Sequence, residues 1–351
     1  MNKMPLREGD DRENEKLLSR FRGAMIGSAL GDAIGERRGH RAAIANTASM
    51  KEPWAEGVLR YTDDTAMAIG LAECLVCKHE IHETSLGDLF VHHFFREPWR
   101  GYAGGPPTIF AQAWRTERRD YYAIAREVGE ALFPGGSWGN GAAMRIAPLV
   151  YFWDCDNLYD KVDAQARITH THPIAIDGAA VLTRAVALAT SADSADSFDA
   201  RGFCDELIRF SRNDIIRAKL LQANACLANG TQPAEAARLL GQTVATHESV
   251  PFALYSFLRH PASFTDCLLC ATGNGGDMDT VGAMACAVSG AYLGIERIPP
   301  DWRTRLENVN SIELLATWLW QVRMGGGPDG ERLFSQLVRD AEELETLPGE
   351  E

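Results

Sequence analysis

Asp277, Asp279 and Thr280 follow the glycine-rich stretch Gly273-Asn274-Gly275-Gly276 and lead into a long small-residue segment, VGAMACAVSGAYLG, at 281–294. Their oxygens are hard donors of the kind Mg²⁺ or Mn²⁺ prefers. Side chains two residues apart do not share a face inside a helix. The two acids therefore converge only where the backbone departs from helical geometry, and Gly275-Gly276 allows that. At a helix N-terminus the positive end of the dipole helps keep both ionised. Capping alone would account for the same residue types, because Asp and Thr are common at helix starts.

A second acidic start stands at Thr62-Asp63-Asp64-Thr65, ahead of AMAIGLAECLVCKH. Thr62 reads as an N-cap, with Asp63 and Asp64 in the first turn. Adjacent acids in one turn repel each other, and a bound cation relieves the repulsion. Together the two clusters suit a two-metal site with Thr62, Asp63, Asp64, Asp277, Asp279 and Thr280 as ligands.

Between them lies Gly135-Gly136-Ser137-Trp138-Gly139-Asn140-Gly141, running into the helical AAMRIAPLV. A glycine-rich loop entering a helix can cradle an anion on its backbone N–H groups. Trp138 offers a flat face to a nucleobase; a flexible connection with one buried Trp is the plainer alternative. Gly135 to Gly139 also spells G-x-S-x-G, which makes Ser137 a nucleophile only if a strand precedes it. Ala123 to Leu132 read as helix, so that assignment is set aside. His170, in Ile168-Thr169-His170-Thr171-His172-Pro173, lies between helices and outside any metal-spaced cluster. Cys74 with Cys77 and Cys267 with Cys270 are C-x-x-C pairs in apolar helical runs. They read as core thiols, since structural zinc uses loop-borne spacings.

These groups must be held by helices. From Glu15 to Ala33 the apolar Leu17, Leu18, Phe21, Met25 and Leu30 follow a helical period. Gly23, Ala24, Gly27, Ser28 and Ala29 between them invite close approach of another helix. The helix is expected to end in a charged, glycine-punctuated turn, Gly31 to His40, followed by a loop of about twenty residues, long enough to suggest a functional role. More helices are expected across 85–130 with breaks at Pro98 and 101–107, then from Ile174 to Thr190. A polar linker follows at 191–199. Helix resumes from Phe203 to Ala245 with breaks near Asn213 and Gly230, again from Ser249, and two or three times after Gly294. Convincing strands and internal repeats are absent. The expected architecture is all-α, one domain over 14–323, with flexible tails at 1–13 and 346–351.

The 351 residues, 46% of them hydrophobic, suffice for a sizeable core. A net charge of −13 argues against nucleic-acid or membrane-surface binding. An acidic chain that holds a phosphate-bearing ligand needs metal ions or backbone N–H groups to do so. The N-terminus has no apolar signal region, and no uncharged apolar run spans a membrane. A cytoplasmic monomer with reduced cysteines is expected.

The motifs GDAIG at 31–35, YTDDTAM at 61–67, GSWGNGAAMRIAPL at 136–149, ITHTHP at 168–173, ESVPFALYSFL at 248–258 and GGDMDTVGAMACAVSGAYLG at 275–294 resemble, in the right order, the ADP-ribosylglycohydrolase family. RGYAGG at 100–105 and HESVP at 247–251 are most similar to the branch that removes ADP-ribose from serine and degrades poly(ADP-ribose) and O-acetyl-ADP-ribose. The resemblance implies a compact orthogonal helical bundle with two Mg²⁺ at the base of a cleft. It implies an ADP-ribosylated protein or an ADP-ribose-containing small molecule as substrate. Thr62, Asp63 and Asp64 would hold one metal and Asp277 and Thr280 the other, with Asp279 bridging. Gly136, Ser137, Gly139 and Asn140 would line the diphosphate and ribose, Trp138 would stack on adenine, and His170 would lie near the diphosphate or distal ribose.

One position departs from the pattern. Much of the family carries a Glu four residues after the last Gly of the GDAxG motif, beside the metals, as catalytic acid or gate. Here that position is Gly39, and Glu36 stands three residues earlier among Arg37, Arg38 and His40. Glu36, on a loop expected to bend, becomes the candidate acid–base residue alongside Asp63 and Asp64. The alternatives are an ADP-ribose-binding module without turnover, or a hydrolase of another linkage such as that to arginine.

Overall fold

A computed structural model describes residues 11–44, 56–102, 104–116, 120–192 and 198–345. They form α1 (Asp11–Ile44), α2 (Asp63–Lys78), α3 (Glu83–Arg96), α4 (Pro106–Trp114), α5 (Tyr121–Leu132), α6 (Gly141–Met144) and α7 (Leu158–Ala166). After these come α8 (Pro173–Ser191), α9 (Ala200–Phe210), α10 (Asp214–Ala228), α11 (Pro233–Leu240), α12 (Thr246–Arg259) and α13 (Phe264–Thr272). The last are α14 (Met278–Leu293), α15 (Pro300–Arg303), α16 (Val309–Arg323) and α17 (Gly330–Glu345). Among the described residues there is no extended sheet, only isolated bridges joining Leu59 to Leu306 and Gly139 to Ala245. The protein is all-α.

The pair α1 and α14 forms the spine. Gly23, Gly27, Gly31 and Gly35 recur every fourth residue, so they share one face. That face meets Gly290, Cys286, Gly282 and Met278 in turn, antiparallel and backbone to backbone. A Cβ on Gly27 would stand 2.5 Å from the Cys286 carbonyl oxygen, and one on Gly31 2.8 Å from the Ala283 nitrogen. No side chain larger than hydrogen fits there. Around the spine, α8 packs on α6, α7, α12 and α14, while α2 packs on α3, α16 and α17. By length and composition α8 could cross a membrane, but most of it is buried inside the protein, and it carries Asp177 and Arg184.

Three sequence expectations change. Residues 31–40 are helical and continue α1 to Ile44, where a turn was expected. The reason is tertiary: the glycine stripe keeps contacting α14 as far as Gly35, and burial outweighs the poor helix propensity of glycine. The predicted helix through Ala245 stops at Leu240, where Gly241 takes φ +87°, and 241–245 runs beside the glycine-rich loop instead. The following helix starts at Thr246 rather than Ser249 and contains Pro251. Most of the expected loop after α1, the centre of the polar linker, and the tails 1–10 and 346–351 lie outside the described residues.

The C-x-x-C residues Cys74, Cys77, Cys267 and Cys270 are buried free thiols in α2 and α13. Burial pushes Cys74 and Cys77 up to about 12. They behave as small core residues.

Candidate active site

Asp32, on the stripe helix α1, organises the first acidic cluster. Its carboxylate is fully buried and accepts from Thr62 N (3.0 Å), Thr62 Oγ1 (2.9 Å), Thr65 N (3.1 Å) and Thr65 Oγ1 (2.6 Å). Asp32 thus caps the N-terminus of α2 from another helix. Thr62 occupies the N-cap position but makes no capping bond of its own. Its hydroxyl is spent on Asp32 and faces Asp64 Oδ2 at 3.3 Å. With the helix end satisfied in this way, Asp63 and Asp64 are free to point into the cleft.

The second cluster meets the first through Asp64. Thr280 Oγ1 lies 3.5 Å from Asp64 Oδ2, the same oxygen that faces Thr62. Asp277 is the residue before α14, and its N–H donates to the Gln242 carbonyl at 2.8 Å. Asp279 sits in the first turn of α14, with its backbone against Gly35. Gly275 and Gly276, at φ +82° and +73°, bend the chain into this start. The irregular backbone expected from the sequence is therefore what lets Asp277 and Asp279 face one space.

The glycine-rich loop closes one wall. Gly139 bridges to Ala245, and Asn140 N donates to Val244 O at 2.9 Å. The Asn140 side-chain amide donates to Asp277 Oδ2 at 2.7 Å and to Ser249 Oγ at 3.1 Å. Asn140 thereby ties the loop to the acids. The Ser137 hydroxyl accepts from Gly139 N at 3.3 Å, and its loop follows helix α5 rather than a strand. Trp138 is 57% exposed at the rim, with the His172 and His247 rings 5.9 and 6.0 Å from it. His172, not His170, caps α8. His170 is buried and lines the cleft, close enough to the loop that a Cβ on Gly141 would stand 2.6 Å from its Cε1.

All these walls enclose a cleft of about 730 Å³. Of the residues singled out in the sequence, Asp63, Asp64, Gly136, Ser137, Trp138, Gly139, Asn140, His170, Asp277, Asp279 and Thr280 line it. Thr62 lies just beneath, held by Asp32. Glu36 is not among the lining residues. It stands on helix rather than on a bending loop, one residue past Gly35, and its carboxylate pairs with His40 Nε2 at 2.7 Å. Burial, then the nearby Asp279, raises the Glu36 carboxyl above its ordinary value. Gly39 lies four residues beyond Gly35, with Met278 Cε the nearest atom to a Cβ there, at 3.6 Å.

Asp32 in GDAIG and Ser249 in ESVPFALYSFL are functional residues to which the sequence pattern alone assigns no role. The available signal was an acid in an otherwise small and apolar helical run, which has to find hydrogen-bond donors when buried.

Electrostatics marks the floor as strained. Burial pushes the Asp63 carboxyl up to about 8, with Asp32 and Asp279 adding repulsion. Asp64 is raised well above the usual range, again by burial first. Asp277 is pushed up to about 7 by burial and then by Asp279. Asp64 Oδ1 is buried without a hydrogen-bond partner. An orphaned carboxylate oxygen amid like charges calls for a cation. Among the described residues no three His, Cys, Asp or Glu side chains are grouped to hold an ion by themselves. The donor set is instead mixed with threonine hydroxyls. That suits a small hard cation which keeps several waters and takes few protein carboxylates.

The sequence profile of the ADP-ribosylglycohydrolase family matches residues 13–329. The chain is 31% identical over 345 residues to the ADP-ribosylhydrolase ARH3 of Homo sapiens, covering 87% of this chain and 94% of that protein. It is 30% identical to the protein of the same name from Bos taurus, covering 87% and 93%. A solved structure titled an ADP-ribosylglycohydrolase-related protein complex superposes with a TM-score of 0.64 at 23% identity, over 88% of this chain and 99% of that one. At that identity the superposition speaks for the fold alone, and the sequence matches carry the rest: the chain belongs to the ADP-ribosylglycohydrolase family and is a glycohydrolase whose substrates contain ADP-ribose.

Proposed function

We propose that this protein is a Mg²⁺-dependent hydrolase that releases ADP-ribose from serine-modified proteins, or cleaves poly(ADP-ribose) or O-acetyl-ADP-ribose. The observation that carries the reading is the meeting of two acidic helix starts at Asp64, on the floor of a cleft walled by the glycine-rich loop. Thr62, Asp63, Asp64, Asp277, Asp279 and Thr280 would hold two ions, and Mn²⁺ suits the same oxygens. Bound Mg²⁺ supplies Lewis-acid charge at this floor.

The protein's own groups account for the rest. The Ser137 and Trp138 N–H groups, the two of this loop not spent on Phe133 O, Ser137 Oγ or Val244 O, receive diphosphate oxygens. Trp138, exposed at the rim, stacks on the adenine. Asn140 holds Asp277 in place by its 2.7 Å hydrogen bond. Asp63 and Asp64 face the anomeric carbon and stabilise the positive charge that develops there as the glycosidic bond breaks. Glu36 is assigned the acid–base work on the departing oxygen and on the water that replaces it, for which its carboxylate must first turn from His40.

The test is incubation with Mg²⁺ and four substrates: serine- and arginine-ADP-ribosylated peptides, poly(ADP-ribose) and O-acetyl-ADP-ribose. Release of ADP-ribose from the serine peptide, poly(ADP-ribose) or O-acetyl-ADP-ribose is expected. Release from the arginine peptide alone would overturn the linkage assigned. A second reading, an ADP-ribose-binding module, is favoured by Gly39 where relatives of this pattern carry a carboxylate. It predicts ADP-ribose binding by calorimetry with no release from any substrate.

A further inference from the structure

Arg145 is among the largest fully buried side chains, and no carboxylate is among its hydrogen-bond partners in the described residues. Its Nε donates to Gln165 Oε1 at 2.8 Å and its Nη2 to the Gln165 carbonyl at 2.7 Å. The guanidinium lies over the Phe90 ring, 4.8 Å from its centre. A cation buried without a counter-ion is costly. Nη1 donates to Met67 Sδ at 3.8 Å and to Thr169 Oγ1 at 3.1 Å, and the bond to Thr169 shows where it acts.

A guanidinium has donors only. Thr169 Oγ1 therefore accepts from Arg145, and its single proton must go elsewhere. Its other partner is His170 Nδ1, at 2.8 Å. Nδ1 then accepts, so the neutral ring carries its proton on Nε2. Nε2 has no protein partner among the described residues. It faces the glycine-rich loop, 3.4 Å from where a Cβ on Gly139 would stand.

We propose that Arg145 and Thr169 are positioning residues that lock His170 as a neutral imidazole whose Nε2–H donates into the cleft, to an anionic phosphate oxygen of the ligand. The assignment of that oxygen rests on the ADP-ribose reading above; the direction of the relay does not. Burial, helped by the Arg145 charge, holds the His170 ring far down, at about 3, so it stays neutral at pH 7. A fixed donor needs no tautomer change when the anion arrives, and the charged end of the relay polarises it toward stronger donation.

The test combines nitrogen NMR of histidine-labelled protein with calorimetry. The His170 signals are identified by their loss in His170→Gln. Wild type at pH 7 is expected to show a bare Nδ1 and a protonated Nε2. Thr169→Val removes the hydroxyl at nearly constant volume, whereas Thr169→Ser keeps it. The Val variant should lose the single tautomer and bind ADP-ribose roughly 10–100-fold more weakly, the scale of a hydrogen bond to a charged group. The Ser variant should restore both. A proton found on Nδ1 in wild type, or a folded Thr169→Val with unchanged tautomer and affinity, overturns the relay. A wild type that shows the tautomer yet binds no ADP-ribose keeps the relay and overturns its ligand.

Discussion

Asp32 and Thr65, on different helices, are joined twice: the Asp32 carboxylate accepts from the Thr65 N–H at 3.1 Å and from its hydroxyl at 2.6 Å. With the matching pair from Thr62, one buried acid satisfies the start of α2. Asp32→Ala leaves buried donors unpaired, at about 1–3 kcal/mol each. We expect it to lower the urea unfolding free energy by about 3 kcal/mol or more, and Asp32→Asn, which keeps one acceptor oxygen, by less. An unfolding midpoint equal to wild type in both variants would show that α2 does not depend on this cap.

The glycine stripe gives a contrast of sign. Alanine normally favours a helix over glycine by about 1 kcal/mol. At Gly31 the added Cβ meets the backbone of Gly282 and Ala283, so Gly31→Ala should lower the melting temperature despite that preference. At Gly39 the nearest atom is a flexible methyl at 3.6 Å, so Gly39→Ala should hold or raise it. Equal effects at the two sites would mean that the backbone contact of α1 and α14 is not what requires glycine.

Ligation by Asp279 predicts its own signature. Mg²⁺ should raise the melting temperature of wild type through ligand linkage. Asp63→Asn should diminish the rise, and Asp279→Asn should abolish it, because Asp279 is the residue assigned to both ions. A full Mg²⁺-dependent rise in Asp279→Asn would remove that role.

Glu36 and Gly39 test the departure from the family pattern. Glu36→Gln should slow turnover by roughly 10²–10⁴-fold, the scale of a lost acid–base group, with ADP-ribose still bound. Turnover at the wild-type rate would place the acid elsewhere. Gly39→Glu sets a carboxylate on the stripe face above Met278, and a gain in rate from it would mark the natural chain as a weakened catalyst.

His170 carries a pH dependence. Its folded value of about 3 lies below the ordinary 6.5, so the unfolded chain binds the proton first as pH falls. Stability is complete above about 6.5 and is lost from there down toward 3. At about 1.4 kcal/mol per unit, wild type should lose about 2 kcal/mol more than His170→Gln between pH 7 and pH 5. Denaturant titrations at the two pH values measure this, and parallel losses would show that the ring is not held neutral.

The sequence by itself determined the helices, the two acidic starts and the glycine-rich loop. Each depends on residues within a turn or two: a 3.6-residue apolar period, Thr62 before two acids, Gly275-Gly276 before Asp277. It also carried the glycines at four-residue spacing on α1, but not what they face. Only the tertiary structure decided that they meet Gly290, Cys286, Gly282 and Met278, which extends α1 through residues 31–40 and brings Glu36 up to Asp279 as helix rather than loop. The roles of Asp32, Asn140 and Arg145 were hidden for the same reason. Their partners lie 20 or more residues away in sequence, and the direction of a buried hydrogen bond depends on the groups at both ends.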